Sequence, residues 1–419
     1  MALRLRPAWF VAIVLASAAL LVGRDAAAHA KLRSISPSDG TQLDRTPSEI
    51  KLTFTEPVEV TLSSVKIVDP AGSNLQSMHG RPVAGDRRSC VVPLGPLEPG
   101  AYVIEWRVVS ADGHAMTGTS RFTIRGGQPR PSAVPPAPPT LPSSPRPPRA
   151  SRREMVARWL FITGVAGLLG AAAASAGGFG GQGVIAAGGW ILALLGTAAL
   201  ADAQRRTAGT GFGELLNTSI GHSLVARAAP LLPAGLLLLT PRSSALRRPS
   251  TVLVIALALA AMGFHAAAGH AAAVERFGFA AIGLQWLHFA AAGVWLGGLA
   301  ALLAATRGAP DVEKTAAVQR YSTLAGIAIV VVGITGVLRT AQELASWNQL
   351  VSSDYGQAAL AKAALLIAIG ALGALNRWHS VPAAATSLRP LRRFALIELA
   401  LMIVVLGVAA ILATLSPPE

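Results

Sequence analysis

Charged residues are scarce in this sequence of 419 residues, in which Asp, Glu, Lys and Arg together make up 14%. A soluble globular protein carries about 25% charged residues. Here the hydrophobic fraction is 52% and the mean hydropathy is +0.50. The shortage of charge excludes a mainly soluble multidomain enzyme and a disordered chain. It indicates a protein that places much of its length in a membrane.

Cysteine and aromatic residues are also rare. Cys90 is the only cysteine, which excludes an intramolecular disulfide and a metal site built from several thiolates. Aromatic residues make up 5% of the sequence, too few for a surface on which nucleic-acid bases stack, although the net charge is +15. The basic residues lie in short segments between apolar runs, as in loops that face an anionic leaflet. We therefore expect the lipid bilayer, and no nucleic acid, as a partner.

The N-terminal residues 1–28 have the pattern of a signal peptide. Two arginines precede an apolar stretch of residues 9–22, and Ala26 and Ala28 form a small-residue cleavage site. Cleavage after Ala28 would leave His29 as the first residue of the mature chain. The alternative is an uncleaved first transmembrane helix, but the apolar stretch is short for a membrane span. Both alternatives export the domain that follows.

Residues 29–125 predict an all-β domain. Apolar and polar residues alternate with a period of two in short runs such as 50–54 and 102–108, and clusters of turn residues separate these runs. Short strands at this spacing indicate a Greek-key sandwich. Residues 126–151 are rich in proline and contain no acidic residue, so we interpret them as an extended linker.

Residues 152–419 consist of apolar runs, each long enough to cross a bilayer as a helix of about 20 residues. The pattern predicts an all-α polytopic membrane domain of about eight transmembrane helices. We place them near residues 158–177, 183–201, 222–240, 251–270, 279–305, 321–340, 357–375 and 393–414.

Basic residues are distributed unevenly over the predicted loops. With the β-domain outside, the inner loops 241–250, 306–320 and 376–393 hold ten Lys and Arg residues and the three outer loops hold three. This asymmetry obeys the positive-inside rule in the direction that a signal peptide requires. We therefore expect a multi-pass protein of the inner (plasma) membrane whose N-terminal domain lies in the periplasm.

Three residues of the β-domain form a candidate metal site. A free His29 would offer an α-amine and an imidazole to one ion, and Asp112 and His114 are spaced so that a strand would put both on one face. Nitrogen-rich ligation with a carboxylate suits Cu(II). By its spacing alone, the pair Asp112 and His114 is more typical of solvated loop residues. The cleavage site before His29 is what favours copper.

Motifs spread over residues 29–125 resemble the periplasmic copper-binding CopC family. They are the segments 29–32, 36–40, 52–58 and 106–114. The resemblance implies a β-sandwich that binds Cu(II) through His29, Asp112 and His114, with Glu56 as a secondary residue beside the metal. The methionine-rich Cu(I) segment of some members is missing.

The membrane half resembles the CopD family over about residues 155–415. The resemblance is carried by Leu287, His288, the segments 295–299 and 319–322, Gly333, Gly336, Tyr355, Gly356, Lys362, Asn376, Arg377, Arg392, Arg393 and Glu398. The order CopC then CopD on one chain is known among bacterial copper-uptake proteins. It implies copper ions as the transported substrate and is compatible with a periplasmic copper donor as a partner.

Histidines inside membrane spans are costly and are therefore candidates for function. Four of them lie toward the outer ends of the predicted spans and suggest an imidazole-lined entry: His222, His265, His270 and His288. The depths of His265 and His288 would let them approach each other between antiparallel helices. The alternative for each is a histidine hydrogen-bonded to a backbone carbonyl.

Other polar and small residues of the spans have simpler interpretations. Lys362, Arg227 and Glu398 lie near predicted span ends, where we expect long side chains to extend toward water. The pair Gly297-Gly298 and the pair formed by Gly333 and Gly336 indicate close helix packing rather than a selectivity filter.

Three functions are compatible with these patterns. The first is capture of Cu(II) outside and delivery of copper across the membrane, with import favoured because the metal-binding domain faces outward. The second is haem-based electron transfer, since histidines on neighbouring spans can ligate haem. The third is a copper-dependent redox enzyme, for which the sequence identifies neither a reductant path nor an open coordination position. The sequence contains no nucleotide-binding loop, and we do not expect an enzyme.

Overall fold

The computed structural model describes residues 32–55, 57–69, 73–110, 115–125, 152–178, 183–239, 244–268, 278–307, 312–413 and 415. The chain divides into two compact units. Among the described residues, one unit holds the strands together with residues 201–222, and the other holds residues 152–200 and everything from residue 223 onward. The predicted signal peptide 1–28 and the predicted linker 126–151 lie outside the described residues.

Nine strands in the described part of residues 32–125 form two sheets. They are β1 (Leu32–Ser36), β2 (Thr41–Leu43), β3 (Glu49–Phe54), β4 (Val58–Val68), β5 (Asn74–His79), β6 (Arg81–Val83), β7 (Asp86–Pro93), β8 (Gly100–Ser110) and β9 (Ala115–Ile124). One sheet has the order β1-β3-β7-β6 and the other the order β2-β9-β8-β4-β5. The pairs are antiparallel apart from β2, which runs parallel to β9. This architecture confirms the predicted β-sandwich.

Strand alternation builds the core between the two sheets. On β3, Ile50 and Leu52 are buried while Lys51 between them is exposed, because successive side chains of a strand point to opposite faces. Trp106 on β8 pairs with Gly118 on β9. A Cβ atom at Gly118 would stand 2.1 Å from the Trp106 ring, so the core requires a glycine at this position.

Eight segments of the described chain are long and apolar enough to cross a membrane, as the sequence predicted. The helices are α1 (Arg152–Ala176), α2 (Gly183–Ala208), α3 (Phe212–Leu216), α4 (Ser219–Ala228), α5 (Leu231–Leu239), α6 (Ser244–Ala267), α7 (Gly278–Ala305), α8 (Val312–Glu343), α9 (Gln349–Ser352), α10 (Asp354–Leu375) and α11 (Arg389–Leu412). A π-helical turn, Asn376–Ser380, and a 3₁₀ turn, Pro382–Ala385, connect α10 to α11.

The helix bounds differ from the predicted spans where polar residues continue a helix. The longest helix, α8, has 32 residues against the predicted 321–340, because charged residues at both ends belong to the same helix as the apolar run. The predicted span 222–240 is divided into α4 and α5 at Pro230. Proline has no N–H to continue a helical ladder and disfavours helical geometry in the residue before it.

Close helix packing accounts for one of the two predicted glycine pairs. A Cβ atom at Gly170 on α1 would stand 2.3 Å from the Cα of Gly297 on α7, so the two backbones touch. Gly298 lies against the ring of Tyr321. The packing role predicted for Gly333 was wrong, since nothing lies within 4 Å of the place its Cβ would take. Gly336 instead lies beside the His288 ring. A Cβ atom at Gly336 would stand 3.6 Å from the Cε1 atom of His288.

Candidate functional site

The residues predicted to bind Cu(II) lie in segments that the structure does not describe. His29, Asp112, His114 and the secondary residue Glu56 are outside the described residues, and so is His270 of the membrane set. The structure describes the strand ends that border the segments of the β-domain.

Strand pairing within each sheet brings these strand ends close together. β1 begins at Leu32, which pairs with Phe54 at the end of β3. β4 begins at Val58, which pairs with Ser110 at the end of β8, and β9 starts at Ala115. Three residues separate Phe54 from Val58, so the edges of the two sheets are at most about 14 Å apart at this end. The start of β1, the end of β3, the start of β4, the end of β8 and the start of β9 therefore lie at one end of the sandwich.

The single cysteine lies inside the sandwich. Cys90 on β7 is fully buried and pairs with Leu52 on β3. Burial raises the pKa of the Cys90 thiol from an ordinary value of 9.0 to about 11. The thiol therefore keeps its proton near neutral pH.

His288 on α7 is buried, and both of its ring nitrogens have partners. Its Nδ1 lies 2.8 Å from the Thr335 hydroxyl oxygen on α8, and its Nε2 lies 3.4 Å from the Lys362 Nζ on α10. The Thr335 hydroxyl donates to the carbonyl oxygen of Val331 at 2.6 Å, so toward His288 it accepts. The Nδ1 atom therefore carries the proton, and the ammonium group of Lys362 donates to the lone pair of Nε2.

His265 on α6 lies among aromatic rings. Its ring centroid is 4.9 Å from that of Phe161 and 5.5 Å from that of Phe289, and its Nδ1 has no hydrogen-bond partner in the described chain. The Phe289 ring is also 6.3 Å from the His288 ring. The structure thus brings His265 and His288 to one phenylalanine. His222, on α4, is exposed.

The expectation that three charged side chains extend toward water was wrong. Arg227 is only 2% exposed and Glu398 only 5% exposed. Lys362 is half-buried and turns toward His288. Each lies within a few turns of a helix end, and its packing nevertheless limits its contact with water. A span end in the sequence therefore did not mean contact with water.

Several polar residues of the spans escaped the sequence analysis. Glu154 and Arg158 on α1 form a buried ion pair at 2.7 Å, and Arg339 and Glu343 on α8 form a partly buried ion pair at 2.7 Å. Both pairs have the i,i+4 spacing of helical ion pairs, which is visible in the sequence. Thr335 carried no such signal, because a hydroxyl in an apolar helix usually bonds only its own backbone.

A cavity of about 190 Å³ lies among α7, α8, α10 and α11. Polar side chains contribute to its lining: Tyr321, Ser322, Asn376, Arg377 and Glu398. The Asn376 side-chain amide donates to the Glu398 carboxylate at 3.3 Å, while the Asn376 Oδ1 is buried without a partner in the described chain.

No group of three or more His, Cys, Asp or Glu side chains that could hold a metal occurs among the described residues. The described membrane histidines therefore belong to no such group.

Comparison with known proteins gives two family matches. The CopC domain model matches residues 32–125, and the model of copper resistance protein D matches residues 315–412. Protein YobA of Escherichia coli strain K12 is 35% identical over 99 residues, covering 23% of this chain and 80% of YobA. Copper resistance protein C of Pseudomonas syringae pv. tomato is 34% identical over 122 residues, covering 27% of this chain and 94% of that protein. Copper transport protein CutJ of Bacillus subtilis strain 168 is 26% identical over 428 residues, covering 94% of this chain and 75% of CutJ.

Proposed function

Because this chain belongs to the family that joins a CopC domain to a CopD domain, we propose that it captures Cu(II) outside the inner membrane and passes copper inward. The observation that carries the proposal is the presence of both domains on one chain. In addition, 94% of this chain is similar to a copper transport protein. The eight apolar helices provide the membrane domain that transport requires. In this function the chain is a carrier in copper homeostasis and resistance rather than an enzyme.

The capture site consists of His29, Asp112 and His114, with Glu56 beside the metal. The strand pairing supports this set, since the strand ends that border the segments of the four residues all lie at one end of the sandwich. An amine, two imidazoles and a carboxylate are ligands that Cu(II) prefers. A free His29 amine requires cleavage after Ala28, which also places the domain in the periplasm.

The membrane stage of the path contains His288, with His222, His265 and His270 nearer the outer face. The contact with Lys362 supports His288 as a transient copper ligand. The Lys362 ammonium group occupies the lone pair of His288 Nε2, and a metal ion can replace it there. An ion-conducting site must bind its ion well enough to admit it and weakly enough to release it. Haem-based electron transfer is the alternative function, and the absorbance of the purified protein distinguishes the two, because a reducible Soret band would indicate haem.

Copper content of cells tests the proposal. A strain that lacks the protein should accumulate less copper from medium with micromolar Cu(II) than a strain that expresses it, and complementation should restore the difference. Complementation with a chain carrying both His29→Ala and His114→Ala is the matched control, since it keeps the membrane domain and removes capture. Higher copper content in the strain that lacks the protein would contradict import and indicate export.

A further inference from the structure

We propose that the cavity among α7, α8, α10 and α11 is a second copper stage, at which oxygen atoms of Glu398, Asn376 and Tyr321 hold Cu(II) after it leaves His288. The inference rests on the proposed transport function and identifies where and in which form the ion is held next. In the proposed orientation the cavity lies toward the cytoplasmic ends of these helices, where α8 begins and α10 ends.

The cavity continues the faces of the two helices that carry His288 and Lys362. Trp295 lines the cavity seven residues after His288, and Ile369 lines it seven residues after Lys362. Seven residues are nearly two helical turns, so each pair lies on one helix face with a separation of about 10 Å along the axis. Along α7 and α10, the His288 imidazole is therefore followed, on the same helix faces, by the cavity.

The polar atoms at the cavity favour a cation. Glu398 is 5% exposed and carries a carboxylate that receives one hydrogen bond, from Asn376 at 3.3 Å. Asn376 is 9% exposed, and its Oδ1 has no partner in the described chain. The Tyr321 hydroxyl donates to the carbonyl oxygen of Trp295 at 2.8 Å, which leaves its oxygen able to accept. Buried acceptors without donors cost free energy unless a cation or water satisfies them.

Arg377 is the one cation among the described residues that line the cavity, and it does not neutralise this group. Arg377 is exposed, and its guanidinium donates to the Ser322 hydroxyl at 2.8 Å. No ion pair between Arg377 and Glu398 occurs in the described part of the chain. An exposed charge is screened by solvent, whereas a buried carboxylate is not. Among the described residues no cation therefore pairs with Glu398, and a metal ion that displaces the proton of this carboxyl group would meet no competing ion pair.

The donor set selects the oxidation state of the ion. Thiolates and thioethers suit Cu(I), whereas nitrogen and oxygen donors suit Cu(II). The described residues that line the cavity include no Cys and no Met, and the stage above it is an imidazole. This chemistry assigns the divalent ion, rather than Cu(I), to the inner half of the path.

A direct test is to count bound copper in the full-length protein. The purified chain in detergent is titrated with Cu(II), and bound copper is followed by equilibrium dialysis and by electron paramagnetic resonance. The variant Glu398→Gln keeps the size of the side chain and can still accept the hydrogen bond of Asn376. The control is Glu313→Gln, which removes an exposed carboxylate at the first turn of α8.

We expect Glu398→Gln to bind one copper equivalent fewer than the wild type and Glu313→Gln, with loss of an oxygen-ligated Cu(II) signal. In proteoliposomes its rate of Cu(II) transport should fall at least tenfold, with no change for Glu313→Gln. Equal copper stoichiometry and equal transport in Glu398→Gln would overturn the inference. Faster transport of Cu(I), supplied with ascorbate, than of Cu(II) would overturn the assigned oxidation state.

Two further results separate this inference from the proposed function. If the wild-type protein transports no copper but Glu398→Gln still loses one equivalent, the transport function is wrong and the cavity site stands. If Glu398→Gln does not accumulate in the membrane, Asn376→Leu decides, because it removes the unpartnered oxygen and keeps the carboxylate. Loss of the same equivalent in Asn376→Leu would support the site, and full stoichiometry would refute it.

Discussion

The Nζ atom of Lys362 lies 3.4 Å from the Nε2 atom of His288, so an ammonium group occupies the one lone pair through which this imidazole could bind a metal. The opposite nitrogen is engaged by Thr335 at 2.8 Å, which holds the ring in its orientation. Copper and Lys362 must therefore compete for a single nitrogen atom. Such competition weakens binding at His288 and would let the ion leave again.

Removing this competitor should strengthen copper binding. We expect Lys362→Leu to raise the Cu(II) affinity at His288 about tenfold or more, since a charge-assisted hydrogen bond contributes about 1.5–3 kcal/mol. The rate of copper release from the full chain should fall by a similar factor, measured by transfer to a chelator. Lys314→Leu, at the start of α8, is the matched control. Unchanged release from Lys362→Leu would show that the lysine does not compete with copper.

Removing the imidazole itself should impair transport without affecting capture. We expect His288→Ala to lower copper accumulation in cells while Cu(II) binding by the N-terminal domain stays at the wild-type level. His270→Ala, nearer the outer face, should have a weaker effect because water and neighbouring groups can replace it. Membrane abundance of each variant is the control. Normal abundance with wild-type accumulation in His288→Ala would make this histidine structural.

The mature chain should begin at His29. The proposed chelate uses the α-amine of this residue, which becomes free only when the signal peptide is cleaved after Ala28. N-terminal sequencing of the membrane-extracted protein should therefore yield His-Ala-Lys. A chain that begins at Met1 would exclude the amine as a ligand and leave only the imidazoles and carboxylate.

The three proposed capture ligands should act as one unit. His29→Ala, Asp112→Ala and His114→Ala should each weaken Cu(II) binding by the mature protein at least tenfold without changing its thermal unfolding in the absence of copper. Because each loss breaks the same chelate, the effects should not add in a double variant. A His114→Ala variant with wild-type affinity, measured by competition with a chromogenic chelator, would remove His114 from the site.

Cys90 should be inert in the folded protein. Burial raises the pKa of its thiol to about 11, while the unfolded chain has the ordinary value of 9.0. The unfolded thiol therefore loses its proton first, and the fold loses stability as the pH rises from about 9 to 11. At pH 8 a disulfide reagent should label the protein only after unfolding in guanidinium. Rapid stoichiometric labelling of the folded protein would show that the thiol is accessible.

The architecture could be predicted because it depends on local patterns. Alternation in β3 requires only that every second residue be apolar, and a membrane span requires only a long enough apolar run. Both properties are contained in a few consecutive residues, which is why the sandwich and the eight spans were correct. The candidate ligands His29, Asp112, His114 and Glu56 likewise came from local motifs, and they stay predictions because they lie outside the described residues.

The neighbours of individual side chains were decided by the tertiary structure alone. Lys362 and His288 are 74 residues apart, and nothing local to either residue indicates that three helices bring an ammonium group to an imidazole nitrogen. The predicted exposure of Glu398 and Arg227 was wrong for the same reason, since a residue near a span end meets water only if no neighbouring helix covers it. The sequence by itself determined the kinds of domain and their ligand types. The packing of helices distant in the chain decided which charges are buried and which lone pairs are occupied.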